Sequence, residues 1–511
     1  MIVRIGKSIK QPVLYSYFIS RFDNATLSLL KESKPFTTYH KDLQEYELTS
    51  EIYAKIKEPV EYIIDERETL PKFERTHAGK YGYQEDAVEF ARKTKNVLVN
   101  FPQGMGKSLT AMKIILDQHF SKTLIVCGQG NLQEEWMKDA HKHGLSEALM
   151  IDIVGGDSGS GNAKKVKWLQ TAAEEGVDLI NIEALRSEAI VEALNARHYD
   201  CIVVDEVQSA KGWKAQQTEG LHGLVRYGGQ MRIALSGTPV LNDPLEFFSM
   251  LKYFGQLRDT VRTTFEKYYG DWGFDFWGHY VCKGYKNYED LNDLMSPLVC
   301  YVSKDELGLP KKTRKKIDVG MDNAAEYAEL ARVYKLSAAR LKKAGYETKP
   351  QVRALMQNLS SNASGKVQFV LEHSLNNKLL VFSQYTTVLD KYCELLAANG
   401  RKVLYYHGQL SMKERLEVLE KWHAGEADVL LLSVMSARYG LNLTEATQVV
   451  FIDIPPSMTI IEQAEDRAHR IGQDKEVVSY LLCSTSIDED ALENVARKQA
   501  DLDRLEELRN K

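Results

Sequence analysis

Cysteine is scarce, six in 511 residues, and no two of Cys127, Cys201, Cys282, Cys300, Cys393 and Cys483 stand at the C-x₂-C spacing of a zinc site. Thiols scattered in this way exclude a disulfide framework and suit buried positions in a reducing compartment. Long apolar runs are also missing. None approaches the roughly 20 residues that span a bilayer. The opening MIVRIGKSIKQPVLYSYF alternates like a strand, where a secretion signal would carry a continuous apolar stretch. A cytoplasmic protein is the expectation. No low-complexity tract or short-period repeat occurs. Excess positive charge is absent too, the net charge being -5 at pH 7. That does not exclude a polyanionic partner, which needs a basic surface and not a basic average. Two local runs qualify, Lys164-Lys165-x-Lys167 and Lys311-Lys312-x-Arg314-Lys315-Lys316.

What the chain has is length for two or three cores and a repeated alternation. From about residue 80, short apolar runs alternate with amphipathic stretches: NVLVN (96–100), TLIVC (123–127), DLINI (178–182), CIVVD (201–205) and RIALS (232–236). Continuous apolar runs separated by helices are what a parallel sheet covered on both faces requires. The pattern lapses between about 255 and 365, where the chain is aromatic-rich (YYGDWGFDFWGHY), then basic, then polar and helical. It resumes with KLLVF (378–382), KVLYY (402–406), DVLLLS (428–433), QVVFID (448–453) and VVSYLL (477–482), and an amphipathic helix over about 487–508 closes the chain. Residues 1 to 75 carry no legible motif.

NVLVN runs into FPQGMGKSLTAMKII, a loop entering a helix. Gly104 and Gly106, with Met105 between them, let the backbone turn around an anion, and the amides opening the helix point at phosphate. Lys107 is placed to meet the β- and γ-phosphates and Ser108 to hold Mg²⁺ through its hydroxyl. Phe101 stands where the first glycine of the usual P-loop spacing would be. A hundred residues on, CIVVDEVQ puts Asp205 at the carboxyl end of an apolar strand, where ligands bind in open α/β sheets. Asp205 is the second expected Mg²⁺ group, and Glu206 the base that orients and deprotonates the attacking water. ALSGTPVLND follows a further strand, and its Ser236 and Thr238 could link the nucleotide site to a nucleic-acid track. In QAEDRAHRIGQ (463–473), Arg467 and Arg470 are three apart, a spacing that puts both on one helical face. Such a pair could clamp a γ-phosphate from a second domain.

The ordered set Gln84, GMGKS, DEVQSAKG, LSGTPVLND, LLVFSQYTTVLD, YYHGQLS, SARYGLNLTEATQVVFID and QAEDRAHRIGQ resembles the SWI/SNF-type branch of superfamily-two helicases, over roughly residues 80 to 490. DRAHRIGQ is highly specific to that branch. The middle segment, through GLPKKTRK, is similar to the corresponding region of HARP-type annealing helicases, which remodel stalled forks. The resemblance implies an α/β fold of two RecA-like parallel-sheet domains, a helical insertion between them and a small N-terminal domain. The expected boundaries are 1–75 for an accessory domain, 76–255 for the ATP-binding domain, 256–365 for the protrusion and 366–511 for the helicase C-terminal domain. By the same likeness Gln84 reads the adenine, and Gly440 lies near nucleotide and DNA. Expected DNA contacts are Thr238, Lys311, Lys312, His407 and Ser433. Departures from the family pattern are Gln208 for the usual His of DEAH, Gly128 for a proline, and Tyr301-Val302 for an arginine pair.

The function expected is an ATP- and Mg²⁺-dependent DNA translocase or helicase acting on branched DNA, by fork regression, branch migration or annealing, in replication, repair or recombination. The near absence of accessory sequence suits a bacterial or phage protein. Two other readings stay open: a remodeller that strips a protein complex from DNA, and a DNA-binding module with a vestigial ATPase. The aromatic cluster Tyr268, Tyr269, Trp272, Phe274, Phe276, Trp277 and Tyr280 could stack on unpaired bases or form the core of a small protrusion.

Overall fold

All ten apolar runs become strands, and burial on both faces explains why most of them lack alternation; those at 402–406 and 477–482 are only half-buried in part. The computed structural model describes residues 2–5, 15–18, 37–40, 45–48, 62–65, 71–79, 81–128, 132–156, 161–210, 212, 215–224, 231–237, 244–257, 262–274, 280–303, 306, 308–336, 340, 343–346, 348–434 and 441–509. Two compact units result, Met1–Ser303 with Asp501–Lys511, and Lys304–Ala500.

In the first unit, residues that carried no motif form a five-stranded sheet. Its strands are β1 (Ile2–Ile5), β2 (Tyr15–Phe18), β3 (Thr37–His40), β4 (Glu45–Leu48) and β5 (Tyr62–Asp65), in the order β3-β4-β2-β1-β5. β1 runs antiparallel to β2 and parallel to β5.

A second sheet is parallel throughout. It contains β6 (Asn96–Asn100), β7 (Lys122–Cys127), β8 (Ile151–Ile153), β9 (Gly176–Asn181), β10 (Cys201–Asp205) and β11 (Met231–Leu235). After a two-stranded hairpin of β12 (Gly270–Phe274) and β13 (Tyr280–Tyr285), the chain adds β14 (Val299–Tyr301), giving the order β14-β6-β11-β10-β7-β9-β8. Parallel neighbours need crossovers. Helices α1 (Gly82–Lys93), α2 (Lys107–Asp117) and α3 (Leu132–Lys142), with further helices at 162–171, 188–195 and 216–224, lie between these strands along the chain. The order β6-β11-β10 sets the carboxyl ends of three strands side by side, and with them the loop after residue 100, the residues from 205 and those from 236.

Segment 256–365, expected as a helical insertion, gives strands to both large sheets. β14 pairs with β6, and β15 (Lys312–Asp318) belongs to the second unit. Of its aromatic cluster, Tyr268 and Tyr269 are buried in the main core with Phe265 and Leu291, and Trp272 packs against that core. Phe276 and Trp277 lie outside the described residues, as do the side chains of Phe274 and Tyr280.

His222 is half-buried with its ring Nε2 donating to the Ser249 carbonyl at 3.0 Å, and desolvation pushes its pKa down to about 4. The unfolded chain titrates near 6.5. Between those values the unfolded state takes up a proton that the folded state refuses, so stability falls as pH falls, by about 1.4 kcal/mol per pH unit. His222→Gln is expected to flatten the fall in Tm between pH 7 and pH 5; an unchanged slope would assign it to other groups.

In the second unit, β16 (Leu379–Ser383), β17 (Val403–Tyr406), β18 (Val429–Ser433), β19 (Gln448–Phe451) and β20 (Val477–Cys483) join β15 in a parallel sheet of order β15-β20-β19-β16-β18-β17. Beneath it Lys366 and Asp488, 0% and 1% exposed, form an ion pair of 2.8 Å, with the same ammonium donating to Ile452 O at 2.7 Å. Removing one partner of such a pair strands a buried charge. Lys366→Met is expected to cost about 3–5 kcal/mol in chemical denaturation, and pairing it with Asp488→Leu should recover most of that loss. Among the described residues no helix is long and apolar enough to cross a membrane.

Candidate active site

The phosphate loop is anchored before any ligand arrives. Phe101, in the slot of the missing glycine, is fully buried with its ring edge-on to Tyr83 at 5.1 Å. Tyr83 also donates its hydroxyl to Met105 O at 3.1 Å, so one side chain of α1 grips both ends of the turn. Gly104 and Gly106 take φ of +82° and +73°, the left-handed region that residues with a Cβ rarely enter. Lys107 and Ser108 open α2, Lys107 buried and Ser108 half-buried. Gln84, expected to read the adenine, is buried against the loop itself, its Nε2 3.5 Å from Met105 O. A Cβ on Gly106 would stand 2.7 Å from that Nε2. Gly106→Ala therefore combines backbone strain with displacement of the Gln84 amide from the loop. The expected result is a raised KM for ATP together with a lower Tm, measured by steady-state kinetics and thermal melting.

Asp205 ends β10 with its carboxylate buried and accepting from Trp136 Nε1 at 2.9 Å. Burial, helped by the charge of Glu206, pushes its pKa up to about 6, while the Trp136 bond and the Lys107 ammonium pull the other way. A carboxylate this short of compensating charge suits a divalent cation. Among the described residues no group of three His, Cys, Asp or Glu side chains could hold a metal alone. Mg²⁺ is ordinarily held by one or two carboxylates, waters and phosphates, so Asp205 and Ser108 together fit it.

Glu206 is the next residue, and its φ of +52° is left-handed. Such strain in a residue with a Cβ gathers at functional positions. Both oxygens of its carboxylate are engaged: Oε1 accepts from Gln103 Nε2 of the phosphate loop at 3.3 Å, and Oε2 from Gln208 Nε2. Gln208 in turn accepts at Oε1 from Ser236 Oγ, 2.7 Å away. Gln208 is thus a bridge with a donor at one end and an acceptor at the other, linking the loops after β6, β10 and β11. Thr238 lies outside the described residues.

The second unit carries the arginine segment. The two arginines do not share a helical face: α4 (Met458–Glu465) stops before them, and the chain passes into successive turns, with Arg467 N bonded to Ala464 O and Ala468 N to Glu465 O. The physical reason is that three-residue bonds interrupt the regular four-residue ladder, while His469 N to Glu465 O, 2.9 Å, still reaches back four residues in this turn. The arginines part company in consequence. Arg467 is 1% exposed, and Arg470 is half-buried with NH1 donating to Leu441 O at 3.2 Å. Gln473 fixes the floor of the segment, its Nε2 reaching Thr444 O, Ala446 O and Ala468 O at 3.0, 3.1 and 3.2 Å.

His407 and Ser433 follow Tyr406 and Leu432, paired residues of β17 and β18, so they stand at one sheet edge. Lys311 is exposed, whereas Lys312 lies within 3.3 Å of two carboxylates, Glu465 and Asp466. Gly440 lies outside the described residues. Trp136 and Gln103 escaped the sequence reading, because an apolar helix face and a loop glutamine carry no motif. Gln208 had been noticed only as a departure.

Residues 25–368 match the SNF2-related domain and residues 363–472 the helicase conserved C-terminal domain. The DNA annealing helicase and endonuclease ZRANB3 of Bos taurus is 27% identical over 424 residues, 80% of this chain and 38% of that protein. The SWI/SNF-related matrix-associated actin-dependent regulator of chromatin subfamily A-like protein 1 of Xenopus laevis is 26% identical over 430 residues, 80% of this chain and 42% of that protein. The chain thus aligns with about two-fifths of the length of these relatives. The solved Sulfolobus solfataricus SWI2/SNF2 ATPase core in complex with dsDNA aligns with 86% of this chain and 98% of its own, at 18% identity and a TM-score of 0.37. With that first domain matched over more than half of its residues, the chain belongs to the SNF2-related family, within the SWI/SNF-type branch of superfamily-two helicases that its motifs resemble.

Proposed function

We propose that this protein is a DNA-dependent ATPase that moves along DNA and remodels branched forms, by fork regression, branch migration or annealing. The observation that carries it is the hydrogen-bonded path from Gln103 through Glu206 and Gln208 to Ser236. A group that activates water is there tied to the loop that leads to Thr238, an expected DNA contact, so occupancy of either end is felt at the other. The annealing-helicase relative named above supports the choice of branched substrate.

In this mechanism residues 76–255 hold ATP and residues 366–511 bring the arginines, with 256–365 between them and 1–75 as an accessory domain. Mg²⁺, when bound, neutralises the β- and γ-phosphate oxygens. The amides from Gly104 to Ser108 and the Lys107 ammonium hold the triphosphate, and Gln84 with Gly440 completes the nucleotide's surroundings. Asp205 and Ser108 orient the metal. Glu206 takes a proton from the attacking water, and Arg467 and Arg470 offset charge on the γ-phosphate. Lys311, Thr238, His407 and Ser433 face the DNA backbone, so binding should be largely sequence-independent and fall with salt.

The test compares ATP-driven processing of a fork, a four-way junction and a blunt linear duplex of equal length. Selective action on the first two supports remodelling of branches. Equal action on all three leaves a general translocase, and no stimulation of ATPase by any DNA overturns the proposal.

A further inference from the structure

The basic run at 311–316 reads, in sequence, as a surface for phosphate. On a strand its members divide, because successive side chains point to opposite faces. Lys312, Arg314 and Lys316 fall on one face of β15, and all three meet carboxylates. Arg314 donates from Nε and NH2 to the two oxygens of Glu465, both at 2.7 Å, in the forked geometry that only a guanidinium supplies. Lys312 Nζ lies 3.1 Å from Glu465 Oε2 and 3.3 Å from Asp466 Oδ1.

Glu465 is a singular place to spend two cations. It is completely buried, it is the last residue of α4, and Arg467 follows two residues later. Its backbone carbonyl accepts from Ala468 N at 3.0 Å and His469 N at 2.9 Å, so side chain and main chain of one residue hold the start of the arginine turn. His469 adds a third attachment, to the chain leading into the same strand, its Nε2 donating to Pro310 O at 2.6 Å, one residue before Lys311. All these groups belong to the second unit.

We infer that Arg314 and Lys312 are positioning residues for the arginine segment: their clamp on Glu465 fixes the turn that aims Arg470, and so sets the rate of hydrolysis without touching nucleotide. This rests on Arg470 acting at the γ-phosphate. A buried carboxylate with no cation beside it would draw water or swing outward, and either movement shifts the following turn. A misplacement of about 1 Å at such a group costs on the order of 10²-fold in rate. Lys312 in this role serves the protein's interior and leaves DNA to its neighbour Lys311.

The test uses the full chain and four variants: Arg314→Met, Arg314→Lys, Lys312→Met and Arg470→Ala. For each, kcat at saturating DNA, KM for ATP, duplex affinity at several salt concentrations, and Tm are measured. The expected result for Arg314→Met is a kcat lower by roughly 10- to 100-fold, with KM and duplex affinity within about twofold of the parent; Lys312→Met moves the same way by less. Arg314→Lys, which keeps the charge but not the fork, should recover part of kcat, and it serves if Arg314→Met does not fold. Parental kcat in both Lys312→Met and Arg314→Lys, beside a dead Arg470→Ala, overturns the clamp alone. Parental turnover in Arg470→Ala overturns the finger assignment and the clamp with it. Loss of duplex affinity in Lys312→Met, with a salt dependence shallower by about one ion and an unchanged kcat, assigns that lysine to DNA and overturns its place here.

Discussion

A Glu206→Gln protein will bind ATP and DNA like the parent yet hydrolyse ATP on the order of 10²–10⁴-fold more slowly. The substitution keeps shape and hydrogen-bonding length and removes only the basic oxygen, so the neighbouring amides of Gln103 and Gln208 can reorient and hold it. Single-turnover hydrolysis measured beside equilibrium ATP binding separates the two effects. Unchanged turnover would show that water is activated elsewhere and would revive the vestigial-ATPase reading. A companion substitution separates catalysis from stability. Glu206 sits at φ +52°, which costs a residue with a Cβ roughly 1–2 kcal/mol. Glu206→Gly should therefore be equally inactive and melt higher than the parent, a pattern expected of a side chain held under strain for chemistry.

Arg470→Ala carries the second large effect: ATP binding retained and turnover lowered roughly 10³–10⁵-fold, the range for an arginine that offsets transition-state charge. Arg470 is the better probe of the pair. It is half-buried with NH1 donating to Leu441 O, and its backbone carbonyl, which accepts from Gln473 N at 2.9 Å, is kept in the alanine variant. The Arg467 side chain is fully buried, so Arg467→Ala would leave a cavity and damage folding and catalysis together. Rapid-quench hydrolysis with the variant saturated in ATP decides the matter, and normal bursts would remove Arg470 from the site.

The parallel sheets were legible because their strands are unbroken apolar runs, and the site because glycines, a lysine and paired acids recur at fixed places after such runs. Legibility failed where charge hid a strand. β15 reads KTRKKID: its one large apolar residue, Ile317, packs against the core, while Lys312, Arg314 and Lys316 meet carboxylates of their own unit. It failed again at Arg467 and Arg470, where spacing predicts one helical face and the helix ends at Glu465. Trp136 could not be foreseen as a donor to Asp205, because one tryptophan on an amphipathic helix reads as packing. β1 and β2 lie in the opening stretch that alternates like a strand, whereas β3, β4 and β5 escaped for another reason: each is four residues long, too short for any period to declare itself.

Among the described residues β15 is also the outermost strand of its sheet, bordered by β20 on one side. An outer strand offers a row of backbone donors and acceptors to any extended peptide, and long apolar ones invite fibres. Here residues 311–316 include five cations. Two copies of the molecule approaching border to border would press like charges together at backbone spacing. While Lys312 and Arg314 tie the strand inward, the exposed Lys311 and Lys315 thus oppose the growth of a shared sheet.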